Sequence, residues 1–571
     1  MFFMKDELIS SLKSAAVKAG IETDAIAIEY PENPEHGDFS TNLALAHAKN
    51  LKTNPRALAE KIVQEFEKLQ PAFVESVSIA GAGFINFKVK ESFLAEEAIK
   101  PLAKPASDSG RKVMVEYTDP NPFKIFHIGH LMANAVGESV SRLVEYSGVT
   151  VVRVCYQGDT GLHVAKAVWA IMKNGTISQV ESRKDVVGKV GWLGEMYVEG
   201  SSHEEEPAIQ KEIADINKKI FDGTDPAVNE VYEKGRKWSL EYFDYIYARL
   251  GTKFDRFFFE REVAETGAEI VQEFLKKDIF EKSDGAVVFK GEEHGLHTRV
   301  FINSQGLPTY EAKEIGLNVE KFKLYPDLDE SIIVTGNEIN EYFKVLKKVL
   351  SLVAPKVAEK TTHLSHGMLR FASGKMSSRK GNIISAESLI EEVKVLVSQK
   401  MQGREFAPKE ADETADMIAV AAIKYSILRQ GIGGDVIFDS DKSISFEGDS
   451  GPYLQYSAVR AQSVLAKAGE SAGSATGDPA KIKLPQAAGL LERLITRFPD
   501  IAERARKEYA PQHIANYLIN LAGAFNGFYT NSVIVDINEP LSPYRIALTR
   551  SFLAVMTDGL WLLGIKVPKR M

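Results

Sequence analysis

Two histidines, His127 and His130, are the first residues whose types and spacing could carry chemistry. A predicted strand, residues 113–117, leads through a loop with two prolines into a helical pattern that begins beside them, so both histidines share one face of the first turn. The amino end of a helix suits phosphate, because it presents free N–H groups and a positive dipole end. Two imidazoles there could stabilise charge that develops when a nucleotide phosphate is attacked. The pair could also be only a polar helix cap.

A second candidate is the segment 371–382, which carries three cations, small hydroxyl residues and two glycines. A basic loop of this kind could close over a triphosphate and stabilise a leaving pyrophosphate. An ordinary surface loop has the same composition. Tyr310 and Glu314 are four residues apart and share one face of a predicted helix. Together they could receive a cationic group, although the pattern alone favours a solvated helix.

Phe84 and Asn86 fall on one face of a predicted strand, residues 84–89, which follows another strand, residues 74–79. An exposed phenylalanine beside an asparagine could stack on an unpaired base and hydrogen-bond to it. The pattern alone favours a hairpin with one core phenylalanine.

The elements that position these residues indicate a multidomain α/β protein. Residues 1–105 are predicted to form a small α+β domain. Residues 106–384 alternate strand, helix, strand and a glycine-containing turn, which predicts a Rossmann-like, doubly wound parallel sheet with its ligand at the carboxyl ends of the strands. A helical insertion is expected at about 174–285. Residues 385–571 are predicted to form a C-terminal α-helical bundle.

Composition excludes several classes of protein. A chain of 571 residues is too long for one core. The single cysteine, Cys155, rules out internal disulfides and cysteine-based zinc sites and fits a reducing cytoplasm. The net charge of −8 argues against a generally basic nucleic-acid binder, so RNA binding would need local patches and no DNA partner is expected. No apolar run is long enough to span a membrane, and the N-terminus lacks the order of a signal peptide.

Together these segments resemble the arginyl-tRNA synthetases, a family of class I aminoacyl-tRNA synthetases. The sequence HIGH at 127–130, followed by KMSSRKGN at 375–382, is similar to the two signatures of class I. Further resemblance to the arginyl family lies in HGDFSTNLAL (36–45), GAGFINFKV (81–89), FEGDSGPYLQYSAVRAQSVL (446–465) and the ending through Met571. The resemblance is thinnest over 174–285.

The resemblance implies ligation of L-arginine to tRNA(Arg) through an arginyl-adenylate, with transfer to the 2′-hydroxyl of the terminal ribose. ATP would bring Mg²⁺ with it, and no protein metal site is expected. No side chain need act as a nucleophile, since catalysis would consist of positioning and charge stabilisation. The residues implied to bind ATP are His127, Gly129, His130, Met376, Ser377 and Lys380.

One lysine of the second class I signature is missing, because Ser378 stands in its place. In the arginyl family a lysine upstream of HIGH is thought to substitute, and Lys124 occupies that position. Stabilisation of the leaving phosphates is therefore assigned to Lys124, Lys375 and Lys380, with Arg379 as a weaker candidate.

Arginine selection needs carboxylates matched to a planar guanidinium. The residues implied for this pocket are Glu116, Asn121, Asp159, Tyr310 and Glu314. Glu314 replaces the usual aspartate, which keeps the charge and adds one methylene. Thr118 and Asp119 stand where the family usually has two serines, and Thr160 where many members have tryptophan. Lysine should be rejected without editing, because it offers only a compact point charge.

Contacts with tRNA are implied at both ends of the chain. The N-terminal domain of the family reads the D-loop corner, which points to Phe84 and Asn86, and the helical domain reads the anticodon, which points to Tyr456, Arg460 and Met571. Adenylate formation is expected to require tRNA. A cytoplasmic monomer is expected.

Other functions stay open at this point. A class I lysyl-tRNA synthetase would leave the N-terminal segments unexplained, and a cysteinyl enzyme would need a metal site that one cysteine cannot build. A synthetase-like protein that binds tRNA without catalysis usually loses one of the two signatures, and both are present here. A Rossmann-type nucleotide-binding regulator would not need the large helical C-terminus.

Overall fold

A computed structural model describes residues 2–23, 25–31, 33–102, 108, 110–174, 177–181, 185–372, 384–471 and 482–571. Its N-terminal part consists of α1 (Phe2–Lys18), β1 (Phe39–Thr41), α2 (Leu43–Ala48), α3 (Pro55–Glu67), β2 (Val74–Ala80), β3 (Phe84–Val89) and α4 (Glu91–Ala98). The strands form an antiparallel sheet of order β1-β3-β2. Asn54 caps α3 by accepting from Arg56 N at 2.9 Å, and Pro55 begins the helix, where a missing N–H costs nothing. The predicted strand pair 74–79 and 84–89 is confirmed.

The central region carries the longest stretch of mixed helix and strand. In chain order it contains β4 (Lys112–Glu116), α5 (Ile128–Tyr146), β5 (Thr150–Gln157), α6 (Leu162–Asn174), α7 (Ile177–Glu181), α8 (Val186–Ser202), α9 (Pro207–Asp222), α10 (Pro226–Leu250), β6 (Arg256–Phe259), α11 (Glu260–Leu275), β7 (Glu281–Ser283), β8 (Ala286–Phe289), β9 (Arg299–Ile302), α12 (Tyr310–Leu324), β10 (Glu330–Gly336), α13 (Asn340–Val353), α14 (Pro355–Glu359), β11 (Thr361–His366) and β12 (Leu369–Phe371). Short 3-10 turns lie at Pro34–His36, Gly291–His294 and Asn337–Ile339.

The central sheet has five parallel strands in the order β11-β10-β4-β5-β6. Helices cover it, and the middle of β4 is apolar: Val113, Met114 and Val115 are at most 2% exposed. This arrangement confirms the predicted Rossmann-like sheet. The carboxyl ends of β4, β5 and β10 lie side by side, and that edge carries the candidate site.

Two strands of this sheet, β6 and β11, were not predicted. Strand β6 lies inside the stretch interpreted as helical insertion, yet Phe258 pairs with Tyr156 of β5. The strand has only four residues and sits at the sheet edge, so it shows no alternating pattern long enough to be recognised. The helices α7–α10 therefore come between two strands of one sheet. A small antiparallel sheet, β7-β8-β9, follows α11.

The C-terminal region is almost entirely helical, as predicted. It contains α15 (Ala386–Lys400), α16 (Pro408–Leu428), β13 (Val436–Phe438), α17 (Ser440–Ser443), α18 (Gly451–Ser471), α19 (Leu490–Lys507), α20 (Gln512–Asn531) and α21 (Ser542–Leu562). Strand β13 pairs in parallel with β12. Within the ranges given above, we find no helix with the length and apolar character that crossing a membrane requires.

Helix α5 joins the central sheet to the C-terminal helices. Ser139 Oγ donates to Leu562 O at 2.7 Å, and Arg142 Nη1 donates to Trp561 O at 2.9 Å, so side chains of α5 satisfy carbonyls at the end of α21. The helix is buried along most of its length. The element that begins with the two histidines is therefore held between two regions of the protein.

Candidate active site

The loop between β4 and α5 is strained and tightly anchored. Thr118, Asp119 and Phe123 have φ angles of 82°, 45° and 66°, in the left-handed region that side chains other than glycine rarely adopt. Such strain persists only where surrounding contacts over-determine it, and it clusters at functional sites. The Phe123 N–H donates to Ser239 Oγ of α10 at 3.0 Å. A Cβ atom on Gly235, also of α10, would lie 2.2 Å from the Phe123 ring, so only glycine leaves room for it.

His127 and His130 lie in contact at the start of α5, as the sequence predicted. Their rings are 3.7 Å apart and nearly parallel, with an interplanar angle of 21°. His127 Nδ1 accepts from Gly129 N at 3.1 Å, and His130 Nδ1 accepts from His127 N at 3.3 Å. The pair is thus a helix cap, which was the simpler interpretation of the pattern. Because both Nδ1 atoms are acceptors, each neutral ring carries its proton on Nε2 and can donate there.

Both histidines favour the neutral form. Burial, followed by the charge of Lys124, lowers the pKa of His127. Burial, His127 and Lys124 together lower the pKa of His130 well below its usual value. At neutral pH the two rings are therefore N–H donors and not cations. This suits contact with phosphate oxygens without requiring two adjacent positive charges.

Glu116 ends β4 in a buried ion pair. Its carboxylate lies 2.7 Å from Lys321 Nζ on α12, and the two side chains are 2% and 0% exposed. Asp119 lies nearby on the strained loop, where its Oδ1 accepts from Tyr156 N at 2.7 Å. Burial and the charge of Glu116 raise the pKa of Asp119 well above its usual range.

Glu314 lies on α12 beside these groups. Its Oε1 accepts from Asn318 Nδ2 at 3.2 Å, and the residue is 7% exposed. Burial and the charge of Glu116 raise its pKa to about 8, with Lys321 opposing the shift. Three carboxyl groups thus share one buried lysine, and a second cation entering this pocket would favour their ionised forms.

Gly158, in the turn after β5, leaves room for the side chain of Asn121, another residue predicted for this site. A Cβ atom there would lie 2.2 Å from Asn121 Oδ1 and 3.0 Å from Glu260 Oε1, so the Asn121 amide lies directly over this turn. Asp159 is 1% exposed, and both of its oxygens already accept hydrogen bonds. Arg236 Nε donates to Oδ2 at 2.9 Å, and Arg261 N donates to Oδ1 at 3.2 Å. Asp159 thereby ties the turn to α10 and α11.

Tyr310 begins α12 and contacts His163 of α6. Its hydroxyl lies 3.3 Å from His163 Nδ1, and His163 Nε2 lies 2.8 Å from Gly158 O. Since a carbonyl can only accept, Nε2 carries the proton and the Tyr310 hydroxyl donates to Nδ1. Burial, followed by Lys124, lowers the pKa of His163 to about 3, which keeps this arrangement neutral. Tyr310 is 53% exposed and is therefore accessible to a ligand.

The predicted basic loop falls outside the described residues, with Lys375, Met376, Ser377, Ser378, Arg379 and Lys380. The segment that follows it is described and lies against the histidines. Ile128 N donates to Ile384 O at 3.2 Å, and His127 forms a bridge with Ser385. Ala386 N donates to Phe126 O at 2.8 Å.

The residues predicted to contact tRNA lie at two separate places. Phe84 is 44% exposed at the start of β3, whereas Asn86 is buried and its Oδ1 accepts from Ser40 Oγ at 2.7 Å. Asn86 also lines a cleft of about 680 Å³ between the N-terminal sheet and α19. Its charged side chains are mixed in sign: Lys88, Arg493 and Arg497 lie with Glu35, Asp38 and Glu91, and Arg493 pairs with both Asp38 and Glu91.

At the other end of the chain, Arg460 lies between two tyrosine rings. Its guanidinium is 4.7 Å from the centroid of Tyr456 and 4.8 Å from that of Tyr529. It also donates to Tyr456 OH at 3.1 Å. Met571 is partly buried against the core.

Family models match the chain over most of its length. Residues 4–89 match the arginyl tRNA synthetase N terminal domain, residues 92–440 the catalytic domain of tRNA synthetases class I (R), and residues 454–571 the DALR anticodon binding domain. The chain belongs to the class I arginyl-tRNA synthetase family. The resemblance found in the sequence is thereby confirmed.

Arginine–tRNA ligases of other organisms match most or all of the chain. The arginine–tRNA ligase of Bacteroides fragilis is 30% identical over 606 residues, covering 100% of both chains. That of Treponema denticola is 29% identical over 555 residues, covering 94% of this chain and 93% of its own. Among solved structures, Thermus thermophilus arginyl-tRNA synthetase superposes with a TM-score of 0.81 at 24% identity, with full coverage of both chains. The Plasmodium falciparum enzyme gives 0.77 at 19% identity, with 99% coverage of each. These likenesses support the fold.

Several residues of the site were not found from the sequence. Lys321 lies seven residues after Glu314, two helical turns further along the same face of α12, so its spacing was an available signal. Glu260 begins α11 and pairs with Lys313 at 2.6 Å, with both side chains 4% exposed. Nothing in the local pattern around 260 or 163 marks Glu260 or His163 as part of a site, because each reaches it only through the fold.

Proposed function

We propose that this protein ligates L-arginine to tRNA(Arg) in two steps and consumes ATP, which carries Mg²⁺ as part of the substrate. The observation that carries the proposal is the adjacency of two features. A buried carboxyl pocket and two neutral, N–H-donating histidines lie at the same edge of one parallel sheet. The first feature suits a guanidinium, and the second suits a phosphate.

In the first step, the arginine carboxylate attacks the α-phosphorus of ATP, and pyrophosphate leaves. His127 and His130 donate from Nε2 to phosphate oxygens as the negative charge moves onto them. Lys124 stabilises the leaving phosphates together with Lys375 and Lys380 of the basic loop. Gly129 leaves the helix end open to ATP, and Met376 and Ser377 complete the ATP contacts. Positioning and charge stabilisation supply the rate enhancement.

The pocket selects arginine by charge and shape. Glu116 and Glu314 present carboxylate oxygens to the planar guanidinium, and the Asn121 amide and the Tyr310 hydroxyl border the rest of the substrate. An unpaired donor in such a buried site costs about 1–3 kcal/mol. Lysine offers three donors on a compact ammonium and cannot match the fork of arginine. Asp159 acts on this pocket indirectly, by fixing the turn that holds Asn121.

In the second step, the terminal 2′-hydroxyl of tRNA attacks the adenylate carbonyl, and AMP leaves. The exposed Phe84 suits stacking on an unpaired base, and the polar cleft beside Asn86 suits hydrogen bonding to the tRNA. Tyr456, Arg460 and Met571 belong to the surface assigned to the anticodon. A cytoplasmic location accords with the single cysteine. We also propose that the protein is a monomer.

Amino-acid-dependent exchange of pyrophosphate into ATP tests the proposal. The assay compares arginine, lysine, cysteine and glutamine, each with and without tRNA(Arg). Exchange with arginine alone among the four, in the presence of tRNA, is the expected result. No exchange with arginine and tRNA would overturn the proposal. If tRNA still bound with its normal affinity, a non-catalytic tRNA-binding protein would replace it, and exchange with lysine would indicate a lysyl enzyme.

A further inference from the structure

Lys124 faces the active site from the strained loop. Its positive charge contributes to lowering the pKa values of His127, His130 and His163, in each case after burial. All three rings are therefore within electrostatic reach of this ammonium. A lysine side chain has several rotatable bonds, so it stays in one conformation only if another residue contacts it there.

Tyr197 of helix α8 provides that partner. Lys124 Nζ lies 4.5 Å from the centroid of the Tyr197 ring, within the range of a cation–π contact. Burial opposes the shift, yet the Lys124 ammonium lowers the pKa of the Tyr197 phenol, both by its charge and by hydrogen bonding to the hydroxyl. Tyr197 is half-buried, so its ring packs against the protein and still contacts Lys124.

Helix α8 is held close to the site by two of its glycines. A Cβ atom on Gly200 would lie 2.2 Å from Lys166 O of α6, so a larger residue would push the two helices apart. A Cβ atom on Gly194 would lie 3.2 Å from Ile125 Cγ2, and Ile125 directly follows Lys124. The position of Tyr197 relative to Lys124 is thus set by close backbone packing and not by a loose surface contact.

We infer that Tyr197 is a positioning residue of the active site, whose ring directs the Lys124 ammonium toward His127 and His130. The helical insertion then supplies part of the adenylation site, although its sequence showed no chemical motif. The inference rests on the proposed function, in which Lys124 stabilises the leaving phosphates. A ring is suited to this task, because it attracts the ammonium without neutralising it, whereas a carboxylate would compete with phosphate for the charge.

Three single variants separate this role from simple packing. Tyr197→Leu keeps an apolar side chain of similar bulk and removes the ring, whereas Tyr197→Phe keeps the ring and removes the hydroxyl. Val198→Ala is the matched control, because Val198 is the next residue of α8 and is 64% exposed. Arginine- and tRNA-dependent pyrophosphate exchange is measured below the melting temperature of every variant. We expect Tyr197→Leu to lower the maximal exchange rate by about two- to fivefold, with the KM for arginine unchanged. Tyr197→Phe should retain most of the rate.

A double-mutant cycle with Lys124→Met tests whether Tyr197 acts through Lys124. If it does, adding Tyr197→Leu to Lys124→Met causes no further loss. Losses that multiply would show that Tyr197 acts independently of Lys124, and equal losses in Tyr197→Phe and Tyr197→Leu would assign the effect to the hydroxyl and not to the ring. Either result would overturn the inference. If the wild-type protein catalyses exchange and Tyr197→Leu does so at the same rate, the inference is overturned and the proposed function remains intact. The absence of exchange in the wild-type protein would refute the proposed function itself.

Discussion

Arginine binding should tighten as the pH rises from about 6.5 to about 8, because Glu314 must lose a proton to receive a guanidinium. Burial and the charge of Glu116 hold the pKa of Glu314 at about 8 in the free protein. The guanidinium favours the ionised carboxylate, so binding lowers that pKa and releases a proton. Affinity therefore falls as the pH drops below 8 and levels off above it.

The magnitude follows from the ionised fraction of Glu314. With a pKa of about 8, roughly one molecule in thirty is ionised at pH 6.5 and about half at pH 8, so the apparent Kd should fall by about 15-fold between them. The histidines of the site do not obscure this range. The pKa values of His127 and His130 are lowered, and that of His163 is about 3, so all three are already neutral.

Isothermal titration calorimetry with arginine is the suitable assay. Titrations at one pH in two buffers of different ionisation enthalpy report the number of protons released, which should be close to one at low pH. Glu314→Gln should bind weakly at every pH tested, and wild-type affinity should approach that of this variant at low pH. Glu320→Gln is the matched control on α12, because Glu320 pairs with Lys323 instead, at 3.2 Å. An affinity that does not change with pH would refute the reasoning. A pH dependence that survives in Glu314→Gln would indicate that the titrating group is Asp119, whose pKa is also raised.

Three further predictions address other parts of the molecule. Lys321→Met should lower the free energy of unfolding by about 3–5 kcal/mol, measured by urea denaturation, because it leaves the Glu116 carboxylate buried without its partner. His130→Ala should slow arginine-dependent pyrophosphate exchange by about a hundredfold or more, because it removes a donor to phosphate, while tRNA binding in a filter assay is unchanged. Phe84→Ala should raise the KM for tRNA but not for ATP in the aminoacylation assay, because the exposed ring belongs to β3 of the N-terminal sheet and not to the central sheet.

Each of these has an outcome that would contradict it. An unchanged unfolding curve for Lys321→Met would mean that the ion pair with Glu116 contributes nothing to stability. Pairing it with Glu116→Gln should recover part of the lost stability. Unchanged exchange in His130→Ala would leave His130 as a helix cap only. A Phe84→Ala variant that melts early and affects both substrates equally would show a structural phenylalanine.

Sequence reasoning located the main strands because their signal is local. The apolar runs at 113–117 and 150–156 and the amphipathic helices from 490 onward appear in the structure almost where they were expected. Strand β6 was missed, because four residues at a sheet edge have no repeating pattern and depend on β5 for their hydrogen bonds. Intrinsic preference is a weak signal for elements this short.

The ion pairs of the site could not be predicted from local sequence patterns. Asp159 was expected to bind substrate, yet its partner Arg236 lies 77 residues along the chain. Glu116 and Lys321 are about 200 residues apart and meet only because β4 and α12 pack at one sheet edge. Buried charges require partners, but the sequence does not say which distant residue supplies them.

The amino-acid sequence alone was enough to predict the family, the longer strands and helices, and the residue types available for phosphate and guanidinium. These depend on neighbours within a few residues, whose spacing can be read directly. The lowered pKa values of the histidines, the raised pKa of Glu314 and the contact of Tyr197 with Lys124 became apparent only from the folded structure. Those properties arise from burial and from charges brought together across long sequence separations, so they exist only once the chain has folded.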